Sequence, residues 1–259
     1  MSKKKRQPRI RLGDRDLAIL RYISERRMSW LEAIHCRFYE DRSMEAARST
    51  MRRLCGHAPG FRFIRIDQPD GNRNFYQLTS RGAKMIGAPM EVTSQLGATA
   101  LIRRYALQWY FDVDGNASRW PCNPRDYADL FPVQGDRLPR ANFYLEETTA
   151  GKVLGFAIED YGADSRRISR RAVDLLERFL AQHWFDDLFA AKRFAVTFLV
   201  ATAEKAAALE LQFQRDSQRR IAQPLRQIAG QQSASVLTDY VVVPGLLPLI
   251  PPTNSTPRI

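Results

Sequence analysis

The run RFAVTFLVAT, residues 193–202, has no polar alternation. A strand with one wet face alternates apolar and polar residues with period two. A continuous β-branched and aromatic run instead predicts a strand buried on both faces. Such a strand needs a covering layer on each side, and the flanking sequence offers helices for them. SRRISRRAVDLLERFLAQHW (165–184) carries Ile168, Ala172, Leu175, Leu176 and Phe179 at inward helical spacing. AEKAAALELQFQRDSQRRIAQPL (203–225) reads as one long helix. ANFYLE, KVLGFAIED and VLTDYVVVP read as further strands. The order strand, strand, helix, strand, helix, strand predicts an α/β sandwich over residues 139–245.

The charge lies elsewhere. Of the net +12, residues 1–90 supply +11 (20 Lys and Arg against 9 Asp and Glu), and residues 91–259 supply +1. This asymmetry predicts a polyanion-binding module joined to a near-neutral one. No stretch reaches the roughly 20 apolar residues of a membrane helix, and the basic start MSKKKRQPRIRLG is not followed by the apolar core of a secretory signal. Cys36, Cys55 and Cys122 show no paired spacing. Neither a disulfide framework nor a zinc site is expected, and a reducing cytoplasm fits. No phosphate-binding glycine loop is present, so no cofactor is expected.

The basic third reads as helix, helix, helix, hairpin. Asp14 is the expected cap of a helix bearing Leu17, Ile19, Leu20 and Ile23, and Ser29 of a second bearing Leu31, Ile34 and Phe38. Ser43 caps a third, MEAARSTMRRLCG, with Ala47, Met51 and Leu54 inward and Gly56 closing it. FRFIRID and NFYQLT form a hairpin across QPDGNR, with Phe61, Phe63, Ile64 and Ile66 facing inward and Arg62 and Arg65 outward. TSRGAKMIG is a last short helix. This order is that of a winged helix-turn-helix, expected over residues 13–90 behind a basic disordered arm, 1–12.

Its expected ligand is double-stranded DNA. The third helix offers Ser43, Arg48, Ser49, Arg52 and Arg53, and an arginine there can pair with guanine in the major groove. Arg48 and Arg52 share one face. Asn72 and Arg73 at the hairpin tip reach a phosphate or the minor groove, and Lys3, Lys4, Lys5 and Arg6 track the backbone. His35 and His57 are expected as surface or packed residues. Residues 91–138 are expected as a linker helix and a loop; the helix, aromatic-rich over 97–111, is expected by default to pack in a core, a linker packed on the second domain or a dimer seam being the alternatives. Residues 246–259 form a proline-rich tail.

The only candidates for site chemistry are Glu159 and Asp160, adjacent carboxylates ending an apolar strand. This α/β order resembles the PD-(D/E)xK nuclease superfamily, whose acids hold Mg²⁺. The match is partial. Arg140 stands after Pro139 where the first Asp belongs, and Tyr161 stands where the lysine belongs. The expectation is therefore an inactive, restriction-endonuclease-like domain with no metal. Glu159 and Asp160 would flank the following helix and pair with Arg166 or Arg167.

DRDLAILRYISERR, ARSTMRRL, FYQLTSRGAKMIG, LPRANFYL and GFAIEDYGADSRRI together resemble the replication-relaxation family of plasmids and integrative elements, over residues 12–205. The resemblance implies a non-enzymatic DNA-binding accessory protein of a bacterial mobile element, acting in replication, DNA relaxation or conjugative transfer. Its partner would be a relaxase or replication protein, and its α/β domain a scaffold for that partner or for self-association. A Mg²⁺-dependent nuclease or nickase and a winged-helix transcriptional regulator are the alternatives.

Overall fold

The computed structural model describes residues 12–56, 62–123, 142–149, 151–183, 185–229 and 235–251. Lys3, Lys4, Lys5, Arg6, His57, Phe61, Pro139 and Arg140 lie outside the described residues. The chain is mixed α+β, with nine α-helices and two sheets among the described residues. It divides into two compact units between Gly97 and Ala98. No described helix is long and apolar enough to cross a membrane.

The first unit runs α1 (Asp14–Arg26), β1 (Ser29–Trp30), α2 (Leu31–Phe38), α3 (Met44–Cys55), β2 (Ile64–Asp67), β3 (Phe75–Leu78) and α4 (Ser80–Ile86). Its three strands form an antiparallel sheet in the order β1-β3-β2. Ile19, Leu20 and Ile23 from α1, Ile34 from α2, and Ala47, Met51 and Leu54 from α3 close on Phe63, Ile64, Tyr76 and Leu78. The apolar spacing of these helices is thus the spacing of the core.

Three local expectations change. Gly13, not Asp14, begins α1; the Asp16 carboxylate folds back to accept from the Gly13 N–H at 2.9 Å. Ser29 lies in β1, and Trp30 precedes α2 without a side-chain cap. Ile66 is 46% exposed, although it shares a face of β2 with the buried Ile64 two residues earlier. Ser43 does cap α3, its Oγ accepting from the Ala46 N–H at 3.3 Å.

The second unit is built on a five-stranded sheet, β4-β5-β6-β7-β8. β4 (Arg119–Pro121), β5 (Phe143–Thr148) and β6 (Gly151–Glu159) are antiparallel neighbours; β6, β7 (Phe194–Val200) and β8 (Leu237–Val242) run parallel. The helices are α5 (Ala98–Asp112), α6 (Ser165–Ala181), α7 (Asp186–Ala190), α8 (Ala203–Arg220) and α9 (Ala222–Ala229). On one face, Phe143, Leu154, Phe156, Phe194 and Phe198 pack against α6 and α8, with Leu176, Phe179 and Phe213 between the layers. On the other face, α5 brings Tyr110 edge-on to Tyr144, and both hydroxyls meet Thr197 Oγ1, at 3.3 and 2.7 Å. β7 is buried throughout, as its composition requires.

Several boundaries differ from the sequence reading. α5, expected as a linker helix, belongs to the second unit and covers its sheet. β4 lies inside the expected loop, held by Arg119, whose guanidinium sits 3.7 Å from the Tyr110 ring centroid and pairs with Asp114 at 2.9 Å. The long helix breaks at Ile221. Pro224 has no N–H to give the carbonyl four residues back, so it falls in the first turn of a new helix, where none is needed. The expected inward Leu175 is only half-buried, and Val173 takes its place.

Gly155 pairs with Tyr144 across β5 and β6, and a Cβ on it would lie 1.9 Å from the tyrosine ring. The ring lies over the bare backbone. Gly155→Ala is expected to cost roughly 1–3 kcal/mol by overpacking. Urea denaturation followed by tryptophan fluorescence measures this, and an unchanged midpoint would contradict the packing described.

Candidate functional site

In the first unit, α3 and the hairpin β2–β3 bound a groove. Its lining includes Arg48 and Arg52 from the helix, Asn72 and Arg73 from the hairpin tip, and Ile66 and Tyr76 from the strands. Four of the expected DNA contacts therefore come together from two separate elements. Asp70 builds the tip: its Oδ1 accepts from the Asn72 and Arg73 N–H groups at 3.1 and 2.9 Å, and Gly71 takes φ +73°. A turn of this shape favours glycine there, because a left-handed φ costs other residues a steric contact.

Glu45, in the first turn of α3, aligns the two arginines. Its carboxylate accepts from Arg48 at 2.6 Å and from Arg52 at 3.4 Å. All three side chains are exposed, and exposed pairs of this kind contribute about 0.2–1 kcal/mol. A phosphate can replace Glu45 at little cost.

Arg53 behaves differently. Its guanidinium forks onto Asp16 at 2.8 and 2.5 Å, tying α3 to α1. Burial pushes the Asp16 carboxyl up, but the Arg53 and Gly13 hydrogen bonds outweigh it and hold the group below the usual value. Arg53 is thus a structural clamp rather than a free phosphate contact. The signal was present: Asp16 shares the inward face of Ile19, Leu20 and Ile23. Ser43 spends its hydroxyl on the helix cap, and Ser49 is exposed on α3 outside the groove lining. His35 binds the Arg42 carbonyl at 2.9 Å, closing the turn between α2 and α3.

In the second unit, Glu159 and Asp160 are both buried at the end of β6. Neither pairs with Arg166 or Arg167. The helix cap is Asp164, whose Oδ1 accepts from the Arg167 N–H at 2.7 Å. Glu159 turns instead to Arg103 of α5 at 3.3 Å, to the Tyr161 hydroxyl at 2.8 Å and to the Asn142 amide N–H. Asn142, with φ +74°, also donates to the Ala157 carbonyl at 2.9 Å and accepts from Arg103 at 3.0 Å. Asp160 Oδ1 accepts from the Gly162 N–H at 2.8 Å. Tyr161 stands in the motif itself, but Arg103 and Asn142 are brought to Glu159 by the fold alone.

This donor set does not fit a divalent cation. Mg²⁺ requires converging anionic or carbonyl oxygens, whereas both Glu159 oxygens face N–H or O–H donors and a guanidinium. No group of three or more His, Cys, Asp or Glu side chains stands close enough to hold a metal among the described residues.

Burial raises the Glu159 pKa above the ordinary carboxylate value, against the Tyr161 hydrogen bond and the Arg103 charge, and burial followed by Glu159 pushes Tyr161 up to about 12. A raised carboxyl binds its proton more tightly folded than unfolded. Its ionisation therefore costs stability, a cost absent below the unfolded value near ~4.3 and complete above the raised folded value. Glu159→Gln is expected to flatten the decline in melting temperature as pH rises through that window; parallel declines in the two proteins would refute it. Arg53→Ala, by stranding the Asp16 carboxylate, is expected to cost roughly 1–3 kcal/mol of stability, read by thermal denaturation.

No family model, curated protein or solved structure matches this chain.

Proposed function

We propose that the first unit is a winged-helix module that binds double-stranded DNA, with α3 in the major groove and the β2–β3 hairpin on the flanking backbone. The observation that carries this reading is the convergence of Arg48, Arg52, Asn72 and Arg73 on one groove from a helix and a hairpin tip. The unit also holds nearly all of the chain's positive excess, which draws a polyanion and steepens the salt dependence of its binding. An arginine on α3 can read guanine O6 and N7 bidentately, and Ile66 and Tyr76 line the same groove beside it.

The second unit is read as a nuclease-like scaffold without catalytic chemistry. The donors around Glu159 support that reading. Its role would be to hold a partner protein, a relaxase or replication protein of a mobile element being the partner the family resemblance implies.

Replacing Arg48 and Arg52 together by alanine is expected to weaken duplex binding by about tenfold or more, to shallow its salt dependence, and to leave the melting temperature nearly unchanged. Glu45→Gln should have the opposite effect on affinity, because it frees both guanidinium groups. A gel-shift titration across salt concentrations measures both. Unchanged binding in the double variant would overturn the assignment of α3.

A further inference from the structure

A second concentration of arginine lies on α6. Arg167, Arg170, Arg171 and Arg178 fall at helical spacings of three, four and seven, along one exposed stripe. All four line a cleft of about 830 Å³ whose floor is Glu159, Tyr161 and Gly162, with Thr99 of α5 at its edge. Like charges at these spacings repel by a few tenths of a kcal/mol per pair and destabilise a helix. A helix needs compensation for them or a reason to keep them.

The compensation is partial. The cleft's two carboxylates are already neutralised from outside the stripe. Glu159 faces Arg103 at 3.3 Å. Asp174 faces Arg220 of α8 at 2.7 Å, and Arg220 Nε also takes the other acid of α6, Glu177, at 2.8 Å. Asp164, at the head of α6, accepts a backbone N–H. Arg178 donates only to the Asp174 backbone carbonyl, at 3.3 Å, and Arg171 lies over the Tyr161 ring at 5.5 Å. Among the described residues none of the four guanidinium groups forms a close ion pair; Arg171 feels Glu159 and Arg170 feels Asp216 only at longer range.

We propose that this cleft is a phosphate-binding site, taking a diphosphate or two to three successive phosphodiesters through Arg167, Arg170, Arg171 and Arg178. Guanidinium groups match phosphate oxygens as bidentate donors. The volume suits a nucleotide-sized ligand. Among the described lining residues the aromatic ring is Tyr161, and Arg171 lies over one face of it at 5.5 Å. The four guanidinium groups address the phosphates, which carry no sequence information directly. This inference rests on the second unit alone and stands whether or not α3 reads DNA.

The test uses the full chain carrying Arg48→Ala and Arg52→Ala, so that the first groove does not mask the second. Three probes are titrated at low salt: pyrophosphate, a single-stranded oligothymidine, and polyglutamate of matched charge. The parent is expected to bind pyrophosphate or oligothymidine. Arg167→Glu with Arg171→Glu should weaken that binding at least tenfold. Arg170→Glu with Arg178→Glu, which leaves the Tyr161 contact intact, should do the same, with unchanged circular dichroism in both. Loss of two contacts should lower the salt slope for oligothymidine by roughly 1.4. Binding of pyrophosphate identifies a free phosphorylated ligand; binding of oligothymidine alone identifies a nucleic-acid backbone. The proposal is overturned if neither phosphate probe binds the parent, if both charge-reversed proteins bind as the parent does, or if polyglutamate binds as tightly.

Discussion

The second unit depends on covering both faces of β6 and β7. Neither strand has a face that tolerates water along its central residues, so helices must close over each side. The two sides are covered by different means. Phenylalanines interlock with α6 and α8 on one side, and two tyrosines share the Thr197 hydroxyl on the other. Because β6 is enclosed to its last residue, Glu159 is carried into the interior with it. Everything around that carboxylate follows from the enclosure. A buried charge needs donors, and the fold supplies Arg103 from α5, Asn142 from the start of β5 and Tyr161 from the next turn. The same enclosure that makes the pair of acids conspicuous also ties up the oxygens that a metal would need.

Arginine has three distinct roles in this chain, and sequence position alone does not separate them. Arg53 and Arg119 are clamps that join elements through acids. Arg103 and Arg220 neutralise carboxylates that would otherwise face a cleft. Arg48 and Arg52 on α3, and the stripe on α6, turn their charge to solvent. Total charge points to the first unit as the polyanion binder. Pairing shows that the near-neutral unit also carries a cluster of arginines outside close ion pairs, which its acids, paired elsewhere, conceal in the sum.

Much of the fold was legible in the residues. Helical spacing gave the inward faces of α1, α3 and α6, and the unbroken apolar run gave β7. Asp70-Gly71 marks the hairpin turn, and the basic part of the chain falls within the first unit, whereas the second unit begins at Ala98 rather than at 139. The failures have physical causes. For α5 core packing is the default expectation, but its place in the chain stays open, because a helix rich in aromatic residues looks alike whether it packs on a sheet or bridges two bodies. β4 is three residues long and exists because its neighbour β5 offers a ladder, which no local signal records. Pro224 announced the end of α8, but the alanine-rich stretch before it masked the warning. At the candidate sites, the exposed residues of α3 and the hairpin tip were readable from helix and turn chemistry. Asp16, the partner of Arg53, lies 37 residues away, and Arg103 and Asn142, partners of Glu159, lie 56 and 17 residues away, so only tertiary folding brings them into reach.

The Tyr144–Gly155 contact has a consequence for how the sheet finds its alignment. Sliding β5 by two residues along β6 would keep every side chain on its proper face, so hydrophobic patterning cannot distinguish the slipped ladders from the native one. In either slipped alignment, however, Tyr144 would sit opposite Val153 or Ala157, and its ring would meet a side chain rather than open backbone. One aromatic ring and one missing methyl thus act as a key and its notch, selecting a single alignment where burial alone would accept three.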